Sequence, residues 1–280
     1  MNKLLLDEQL HRFLLEDIGT GDLTSESIFQ DEKTEAYVVA KAGGVVAGLA
    51  VFERIYQLLD PSVSMKTHHR DGDAVTEGDH VLSMRGPAAP LLTGERVALN
   101  VLQRMSGIAS MTRFAVDTLG DRSIRVCDTR KTTPGLRMLE KAAVRAGGGF
   151  NHRYGLDDAV MLKENHIAAC GSISLAVERT RAAMGHMVKV EVETTSGAEV
   201  EEAVRAGADV IMFDNATPAE IARYVPLVPK GILTEASGGI SMETIATFRG
   251  SGVDYLSLGF LTHSVQALDF SMLVRKECSV

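Results

Sequence analysis

Short apolar segments separated by turn-forming residues occupy the first third of the chain. Two of them, 36–40 and 45–49, flank Ala42-Gly43-Gly44, and this pattern predicts two strands joined by a hairpin or a tight turn. A longer segment over 93–119 has the apolar spacing of a helix, with a break expected at Ser106-Gly107. Mixed helices and strands of this kind predict an α+β lobe.

The pattern changes after Gly120, where apolar segments alternate regularly with helical ones. The predicted strands are 124–128, 159–163, 187–193, 209–213, 231–235 and 254–258. Alternating βα units with short connections indicate parallel strands with helices on the outside. Six strands are fewer than the eight of a complete barrel, so the pattern allows an incomplete or distorted barrel as well as a closed one.

Charge and composition narrow the range of partners. The 280 residues carry 29 Lys and Arg against 37 Asp and Glu, a formal net charge of −8, which disfavours broad binding to nucleic acid. Residues 1–17 lack the apolar core of a signal peptide, and no apolar run reaches membrane-spanning length. Cys127, Cys170 and Cys278 are scattered, which indicates neither a zinc site nor a disulfide framework. We therefore predict a soluble cytoplasmic protein that binds neither nucleic acid nor membrane.

A cluster of cations follows the first strand of the βα region. The string Asp128-Thr-Arg-Lys-Thr-Thr-Pro-Gly-Leu-Arg137 places Arg130, Lys131 and Arg137 in a loop closed by Pro134-Gly135. Such a cluster on an acidic protein needs an anionic partner, and a compact pocket for a small anion agrees with the net charge.

Each later strand also ends on a polar residue or leads to a glycine. In chain order the ends carry Asp128 with Arg130, Lys163, Glu193, Asp214, Glu235 before Ser237-Gly238-Gly239, and Ser257 before Gly259. In a parallel α/β barrel the carboxyl ends of the strands form the reactive face. Cations from the early strands and carboxylates from the later ones would therefore meet at one end, which favours an enzyme.

The segment Lys189-Val-Glu-Val-Glu193 alternates charged and apolar residues, as a strand with its valines against the outer helices would. The charged side chains then face inward and need partners, because burying an unpaired carboxylate is prohibitive. Glu191 could form a structural pair with Lys189 or serve a ligand. Glu193, in line with Asp214, is better suited to a metal or a ribose, and oxygen ligands of this kind favour magnesium over zinc.

Glycines mark two candidate phosphate sites. Ser237-Gly238-Gly239 precedes a predicted helix over 242–248, whose N-terminus would offer N–H donors, and Gly259 with His263 follows the next strand. A further glycine run, Gly147-Gly148-Gly149, precedes His152 and Arg153 and is either a plain turn or a loop that carries both side chains over a site.

Several strings in order along the chain resemble those of the quinolinate phosphoribosyltransferase family. They are Glu16-Asp-Ile-Gly-Thr-Gly-Asp-Leu-Thr24, Gly94-Glu-Arg-Val-Ala-Leu-Asn100, Asp128-Thr-Arg-Lys-Thr-Thr-Pro-Gly-Leu-Arg137, Gly147-Gly-Gly-Phe-Asn-His-Arg153, Lys163-Glu-Asn-His166, Glu191-Val-Glu193, Phe213-Asp-Asn215, Glu235-Ala-Ser-Gly-Gly239 and Gly259-Phe-Leu-Thr-His-Ser264. The resemblance implies a reaction of quinolinate with phosphoribosyl pyrophosphate, which gives nicotinate mononucleotide, pyrophosphate and carbon dioxide in NAD biosynthesis. It also implies magnesium and a homodimer.

The resemblance assigns roles to residues of this sequence. The quinolinate site would comprise Arg130, His152, Arg153 and Lys163, with Arg96 contributed by the partner subunit. The pyrophosphate and ribose site would comprise Lys131, Glu193 and Asp214, the two carboxylates near magnesium, and the phosphate loops would contain Ser237, Gly238, Gly239, Gly259 and His263. Lys163, Glu193 and Asp214 are the expected catalytic residues, with Lys163 near the carbon that loses its carboxylate.

The same resemblance implies an incomplete α/β barrel of about six strands preceded by an α+β sandwich lobe. We place the lobe at 1–110 and the barrel at 111–265, with 266–280 packing back on the lobe. Two other functions are compatible with the strings: a paralogue associated with molybdate transport that uses another substrate, and a ligand sensor without catalysis. Retention of both Glu193 and Asp214 argues against the sensor.

Overall fold

An antiparallel lobe and a parallel βα lobe make up the computed structural model, which describes residues 1–275. The first, unit 1, contains Met1–Arg113, Thr133–Gly148 and the described residues from Ser264 onward. The second, unit 2, contains Phe114–Thr132 and Gly149–His263. Among the described residues, no helix is both long enough and apolar enough to cross a membrane.

The strands and helices follow one another along the chain in a fixed order. The strands are β1 (Lys33–Ala40), β2 (Gly44–Val45), β3 (Ser64–Thr67), β4 (Ala74–Val75), β5 (His80–Pro87), β6 (Arg125–Cys127), β7 (Val160–Leu162), β8 (Val190–Thr194), β9 (Val210–Asp214), β10 (Leu233–Ser237), β11 (Tyr255–Ser257) and β12 (Phe270–Val274). The α-helices are α1 (Lys3–Ile18), α2 (Leu23–Ile28), α3 (Leu49–Leu59), α4 (Ala88–Thr93), α5 (Glu95–Leu119), α6 (Arg137–Ala146), α7 (Glu164–Cys170), α8 (Ile173–Ala183), α9 (Gly197–Ala206), α10 (Pro218–Tyr224) and α11 (Phe260–His263). Short 3₁₀ helices cover Val225–Leu227 and Ile245–Phe248.

Unit 1 is built on an antiparallel sheet with the strand order β12-β1-β5-β3. The predicted hairpin around Ala42-Gly43-Gly44 is wrong, because β2 pairs with β4 and β1 pairs with β5 and β12. Gly44 is needed for close packing: a Cβ there would lie 2.6 Å from the Ser110 hydroxyl oxygen. That hydroxyl instead accepts a hydrogen bond from the Val45 backbone N–H at 2.8 Å.

The long helix α5 runs without the break predicted at Ser106-Gly107. Ser106 is buried and its hydroxyl oxygen accepts a hydrogen bond from the Ala47 backbone N–H at 2.9 Å. A Cβ on Gly107 would lie 2.2 Å from the Gln266 carbonyl oxygen. The small residues therefore let the backbone of other segments approach the helix, and they do not end it.

Helix α6 differs from the predicted domain division. The predicted barrel ran from 111 to 265, but Thr133–Gly148 clusters with unit 1 because Leu139, Ala143 and Val144 are buried in the core of that unit. Arg137 is the first residue of α6 and so lies outside the cation loop of unit 2. At the other end of the chain, β12 forms an edge of the unit 1 sheet, and 276–280 of the predicted 266–280 segment lie outside the described residues.

Unit 2 contains a parallel sheet of six strands in the order β6-β11-β10-β9-β8-β7. Strands β6 and β7 are its two ends, so the predicted incomplete barrel preceded by a sandwich lobe is confirmed and the closed alternative is not. The helices begin where side chains cap them: the hydroxyl oxygens of Ser172, Ser196 and Thr217 accept from backbone N–H groups three residues ahead. Val190 and Val192 are fully buried, as the alternation in β8 predicts.

Candidate active site

A cavity of about 610 Å³ opens at the carboxyl ends of the parallel strands in unit 2. Its lining includes many of the predicted site residues: Arg130, Lys131, His152, Arg153, Lys163, Glu193, Asp214, Ser237, Gly238 and Gly239. The cations and the carboxylates thus share one cavity, which is the arrangement that the strand ends predict.

Asp128 organises the loops that carry the cations. It is fully buried directly after β6, and its carboxylate accepts hydrogen bonds from the Asn151 side-chain amide at 2.6 Å and from the His152 backbone N–H at 2.9 Å. Both donors lie in the segment that follows Phe150, which itself bridges to Cys127 of β6. Residues 128–132 and 150–153 are therefore tied together within unit 2.

Two guanidinium groups contribute to the cationic part of the lining. Arg153 donates from Nη1 to the Ala159 carbonyl oxygen at 2.9 Å, which fixes the direction of its side chain. Burial lowers the pKa of Arg153, and the positive charge of Arg130 lowers it further, while Glu191 and Glu193 oppose this. Two neighbouring positive groups that repel each other in a partly buried cavity attract a ligand with more than one negative charge.

The carboxylates form the other part of the lining. Lys163, at the start of α7, forms an ion pair with Glu193 at the end of β8. Asp214 ends β9, and its carboxylate accepts a hydrogen bond from the side-chain amide of Asn215 at 2.9 Å. Among the described residues, Asn215 is the only one besides glycines with a positive φ, at 55°. This left-handed conformation, which asparagine tolerates better than most residues, turns the chain sharply at the cavity.

The loop after β10 has room for glycine alone. Gly238 has a φ of +87°, and a Cβ there would lie 2.3 Å from the Asn215 side-chain oxygen and 2.9 Å from its backbone nitrogen. The helix predicted over 242–248 is wrong: a turn follows Gly239, and only the 3₁₀ helix Ile245–Phe248 comes after it. The Thr244 hydroxyl accepts a hydrogen bond from the Ser241 N–H at 2.9 Å and closes a local turn ahead of that 3₁₀ helix.

Gly259 brings two basic side chains together beside this loop. A Cβ on Gly259 would lie 3.1 Å from the Lys131 Cδ and 3.2 Å from the His263 Nε2. The Thr262 hydroxyl donates to the Lys131 carbonyl oxygen at 2.9 Å and holds the two segments in place. Lys131 lines the cavity, whereas Gly259 and His263 adjoin Lys131 from the β11 side.

A buried cluster of three titratable groups contains Glu191. The His152 Nε2 lies 3.1 Å from Glu191 Oε2 and 3.4 Å from Glu235 Oε1. A Lys189–Glu191 pair, one of the two alternatives for Glu191, is wrong, because Lys189 lies before β8 and its ammonium is 3.7 Å from Asp209 instead. Burial, and then the charge of Glu191, raises the pKa of Glu235 to about 7, against the lowering effect of His152.

Arg96 belongs to unit 1, whereas the other predicted site residues belong to unit 2. It is exposed near the start of α5 and lines a cavity of about 280 Å³ together with Glu16, Asp17, Asn100 and Arg104. Within the part of the chain that the structure describes, no carboxylate forms an ion pair with Arg96.

Sequence reasoning did not single out two groups at this site. The sequence predicts no role for Asn215 beyond its place in the string Phe213-Asp-Asn215, although its left-handed turn shapes the cavity. Glu235 was placed at a strand end but not as a partner of His152. The two-residue period of β8 is a signal for the contact between Glu235 and His152. It turns Glu191 toward the interior, where Glu235 also lies, and two buried carboxylates need a donor between them.

An open parallel barrel that gathers arginines, lysines and carboxylates at the carboxyl ends of its strands is the architecture of an α/β-barrel enzyme acting on anionic substrates. The family model "Quinolinate phosphoribosyl transferase, N-terminal domain" matches residues 22–106, and "Quinolinate phosphoribosyl transferase, C-terminal domain" matches residues 108–273. The chain belongs to the quinolinate phosphoribosyltransferase family.

Relatives with high coverage support this assignment. The chain is 57% identical over 272 residues to a probable nicotinate-nucleotide pyrophosphorylase (carboxylating) of Bacillus subtilis, covering 97% of this chain and 94% of the relative. It is 40% identical to a quinolinate phosphoribosyltransferase (decarboxylating) of Nicotiana tabacum, covering 95% and 81%. The crystal structure of NadC from Streptococcus pyogenes matches with a TM-score of 0.94 at 47% identity, covering 98% and 97%. Neither the molybdate-associated paralogue nor the sensor gains support from these relatives.

Proposed function

We propose that this chain transfers the phosphoribosyl group of phosphoribosyl pyrophosphate to quinolinate with loss of one carboxylate. The products are nicotinate mononucleotide, pyrophosphate and carbon dioxide, in the biosynthesis of NAD. The observation that supports this proposal most strongly is that Arg130, Arg153 and Lys163 line the same cavity as Glu193 and Asp214. The printed names of the relatives, pyrophosphorylase (carboxylating) and phosphoribosyltransferase (decarboxylating), support the same reaction.

Quinolinate is a planar dicarboxylate, and the two guanidinium groups suit it. An arginine presents a rigid fork of N–H donors that binds a carboxylate through two parallel hydrogen bonds. Arg153 is already held by the Ala159 carbonyl, so little side-chain freedom is lost when a carboxylate binds. His152 lies beside Arg153 and can contact the ring of the bound substrate.

The phosphoribosyl donor would occupy the other part of the cavity. Departure of pyrophosphate builds positive charge on the sugar, and Glu193 and Asp214 would stabilise it. The leaving oxygens become negative, and Lys131 with His263 lies where the Gly238–Gly239 loop and Gly259 allow a phosphate to approach the backbone.

Magnesium fits the residues present in this cavity. Glu193 and Asp214 are hard oxygen donors that line it, and magnesium is commonly held by one or two carboxylates together with substrate phosphates. These two residues would hold the ion, which supplies charge neutralisation of the diphosphate when bound. The other contributions come from the chain itself.

Lys163 is suited to the decarboxylation. Its ammonium pairs with Glu193 at the cavity and can move toward a substrate carboxylate or donate a proton to the ring carbon that loses carbon dioxide. Loss of the carboxylate leaves an electron pair on that carbon next to the new pyridinium nitrogen, whose positive charge stabilises it.

The direct test incubates the protein with quinolinate, phosphoribosyl pyrophosphate and magnesium, and follows the absorbance of the nucleotide product together with pyrophosphate release. Nicotinate in place of quinolinate should give no product. Binding of quinolinate by calorimetry without pyrophosphate release would instead indicate a sensor, and turnover of another acid in preference to quinolinate would contradict the substrate assignment.

We further propose a homodimer in which Arg96 of one subunit completes the quinolinate site of the other. Arg96 is an exposed cation without an ion-pair partner among the described residues, in a unit that does not contain the other substrate residues. A cytoplasmic location remains a prediction from sequence.

Complementation between two inactive variants tests the shared site. Arg96→Ala and Arg130→Ala should each abolish turnover as homodimers. Randomly mixed subunits should recover about a quarter of the wild-type activity, because half the dimers are mixed and each then holds one intact site. No recovery in mixtures that sedimentation shows to exchange subunits would place Arg96 in its own subunit's site or in none.

A further inference from the structure

Three titratable side chains meet in the interior of unit 2, and two of them line the cavity. The exposed fractions of the side chains are 12% for His152, 7% for Glu191 and 6% for Glu235. Their nearest approaches, 3.1 Å and 3.4 Å from the ring nitrogen to the two carboxylates, are short enough for one group to sense the protonation of the others. In the part of the chain that the structure describes, Glu235 Oε1 is buried and has no hydrogen-bond partner.

The tautomer of His152 follows from its other ring nitrogen. The Arg153 backbone N–H donates to His152 Nδ1 at 2.8 Å, so Nδ1 is an acceptor and the proton of the neutral ring is on Nε2. Histidines that ligate a metal through one nitrogen usually donate an N–H from the other. His152 does the reverse, so although these distances resemble those among the ligands of one ion, the ring orientation disfavours a metal.

One N–H therefore faces two buried carboxylates. It lies closest to Glu191, which can accept it as an anion, and this leaves Glu235 without a comparable donor. The other groups that act on Glu235 do not replace it: Asp128 adds a further negative charge, and the Ser257 hydroxyl favours the ionised form only weakly against burial. Burial and Glu191 together raise the pKa of Glu235 to about 7, so a neutral carboxylic acid is its stable form below neutral pH.

We propose that Glu235 acts as a neutral acid beside the neutral, Nε2-protonated ring of His152, and that a dicarboxylate substrate binds only when Glu235 carries its proton. The second part rests on the proposed function, because it takes the ligand of the cavity to be a dianion.

The physical reason is charge balance beside the substrate. Glu235 and His152 both line the cavity in which Arg130 and Arg153 would hold two carboxylates. If Glu235 ionised, its charge would add to that of Glu191 and repel the dianion in the same cavity. Binding and protonation are then linked: where free Glu235 is ionised, the protein takes up a proton from solvent as the dianion binds.

The variant Glu235→Gln isolates this effect, since glutamine keeps the shape and stays neutral at every pH. Wild-type KM for quinolinate should rise by up to roughly tenfold per pH unit above about pH 7, while that of Glu235→Gln should stay level. The KM for phosphoribosyl pyrophosphate should follow the same pH course in both proteins. Glu178→Gln, an exposed glutamate on α8, is the matched control and should behave as wild type.

Calorimetry supplies a second readout that does not depend on turnover. Quinolinate is titrated into the protein at pH 7.5 in two buffers with different ionisation enthalpies, and the difference in heat gives the protons taken up. Wild type and Glu178→Gln should take up a substantial fraction of one proton, and Glu235→Gln none.

Each result decides between outcomes. Equal proton uptake and equal pH dependence in wild type and Glu235→Gln would overturn the role of Glu235. If the wild-type protein binds quinolinate with no proton uptake, the role of Glu235 is also overturned. This result does not require the variant to fold. A wild-type protein that binds no quinolinate at all would instead refute the proposed function, which keeps the two failures distinguishable.

Discussion

Glu140 in unit 1 and Glu235 in unit 2 are both buried, but they differ in the donors that surround their carboxylates. Glu140 in unit 1 is fully buried, and one of its carboxylate oxygens accepts from Arg104 Nε at 2.9 Å and Nη2 at 2.5 Å. The other oxygen accepts from the Thr133 backbone N–H at 3.3 Å. Glu235 in unit 2 is about as deeply buried, but the ring nitrogen of His152, 3.4 Å from its carboxylate, is shared with a second carboxylate.

The difference separates two uses of a buried acid. A carboxylate with a guanidinium fork and a backbone donor has its charge compensated, and removing the cation leaves that charge stranded. A carboxylate beside another carboxylate is held in the form that its surroundings tolerate, and its protonation responds to whatever binds nearby. The Glu140–Arg104 pair of unit 1 therefore contributes to the stability of the fold, whereas we propose that Glu235 of unit 2 responds to the ligand. Four predictions test this contrast.

The largest effect should come from breaking the compensated pair. Arg104→Leu should lower the free energy of unfolding by about 3–5 kcal/mol, because Glu140 is then buried without its cation. Urea unfolding of the variant measures this change. Adding Glu140→Gln to Arg104→Leu should recover part of the loss, and a loss below about 1 kcal/mol in the single variant would show that the pair is not a main source of stability.

The next effect should appear in activity with little change in stability. Lys163→Ala should reduce kcat by about 10²–10⁴-fold, because it removes the side chain that we propose as the proton donor. The half-exposed Lys163–Glu193 pair contributes at most about 1 kcal/mol to unfolding. Steady-state kinetics at saturating substrates and urea unfolding measure the two quantities.

Lys189→Ala is the matched control for that variant. It removes the same charge from the same unit. Lys189 is exposed, and its ammonium lies 3.7 Å from Asp209. Its kcat should stay at the wild-type value. Near-normal turnover of Lys163→Ala would remove Lys163 from the decarboxylation.

Replacing Glu235 should have a smaller effect on the free energy of unfolding than Arg104→Leu, and it should increase stability above neutral pH. The pKa of Glu235 is raised in the folded protein to about 7 from an ordinary 4.5, so stability is full below about pH 4.5 and is lost as pH rises toward 7. Glu235→Gln should therefore increase the free energy of unfolding at pH 8 by roughly 2–3 kcal/mol relative to wild type. The two proteins should converge near pH 4.5, and a variant that is less stable than wild type at pH 8 would refute the raised pKa.

The smallest effect concerns the geometry of one cation. Arg130→Lys keeps the charge but loses the fork, so the KM for quinolinate should rise about tenfold while that for phosphoribosyl pyrophosphate changes little. The exposed change Arg122→Lys serves as the control. Equal weakening of both substrates would place Arg130 at the phosphoribosyl donor or between the two sites.

Local patterns along the chain predicted the parallel sheet and most of the cavity. The βα alternation after Gly120 fixes which residues end the strands, so it predicts that Lys163, Glu193 and Asp214 share one edge of the sheet, and all three line the cavity there. The cation string after β6 belongs to the same edge for the same reason.

The features that could not be predicted depend on contacts distant in sequence. Gly107 looks like a helix break, but its role is set by the Gln266 carbonyl, 159 positions away. Helix α6 lies between two stretches of unit 2, and only its buried face shows that it belongs to unit 1. Glu235 and His152 meet across the sheet; the period of β8 turns Glu191 inward, but no spacing in the sequence places His152 between the two acids.

Strand β12 has a consequence for how the protein is made. It is the partner of β1 through pairs such as Ala36 with Val274 and Ala40 with Phe270, so the last described strand of the chain completes the sheet that the first strand begins. A nascent chain synthesised only as far as β11 contains β1 and β5 but not β12. Until β12 has been synthesised, β1 therefore presents an unpaired edge, which another chain can pair with.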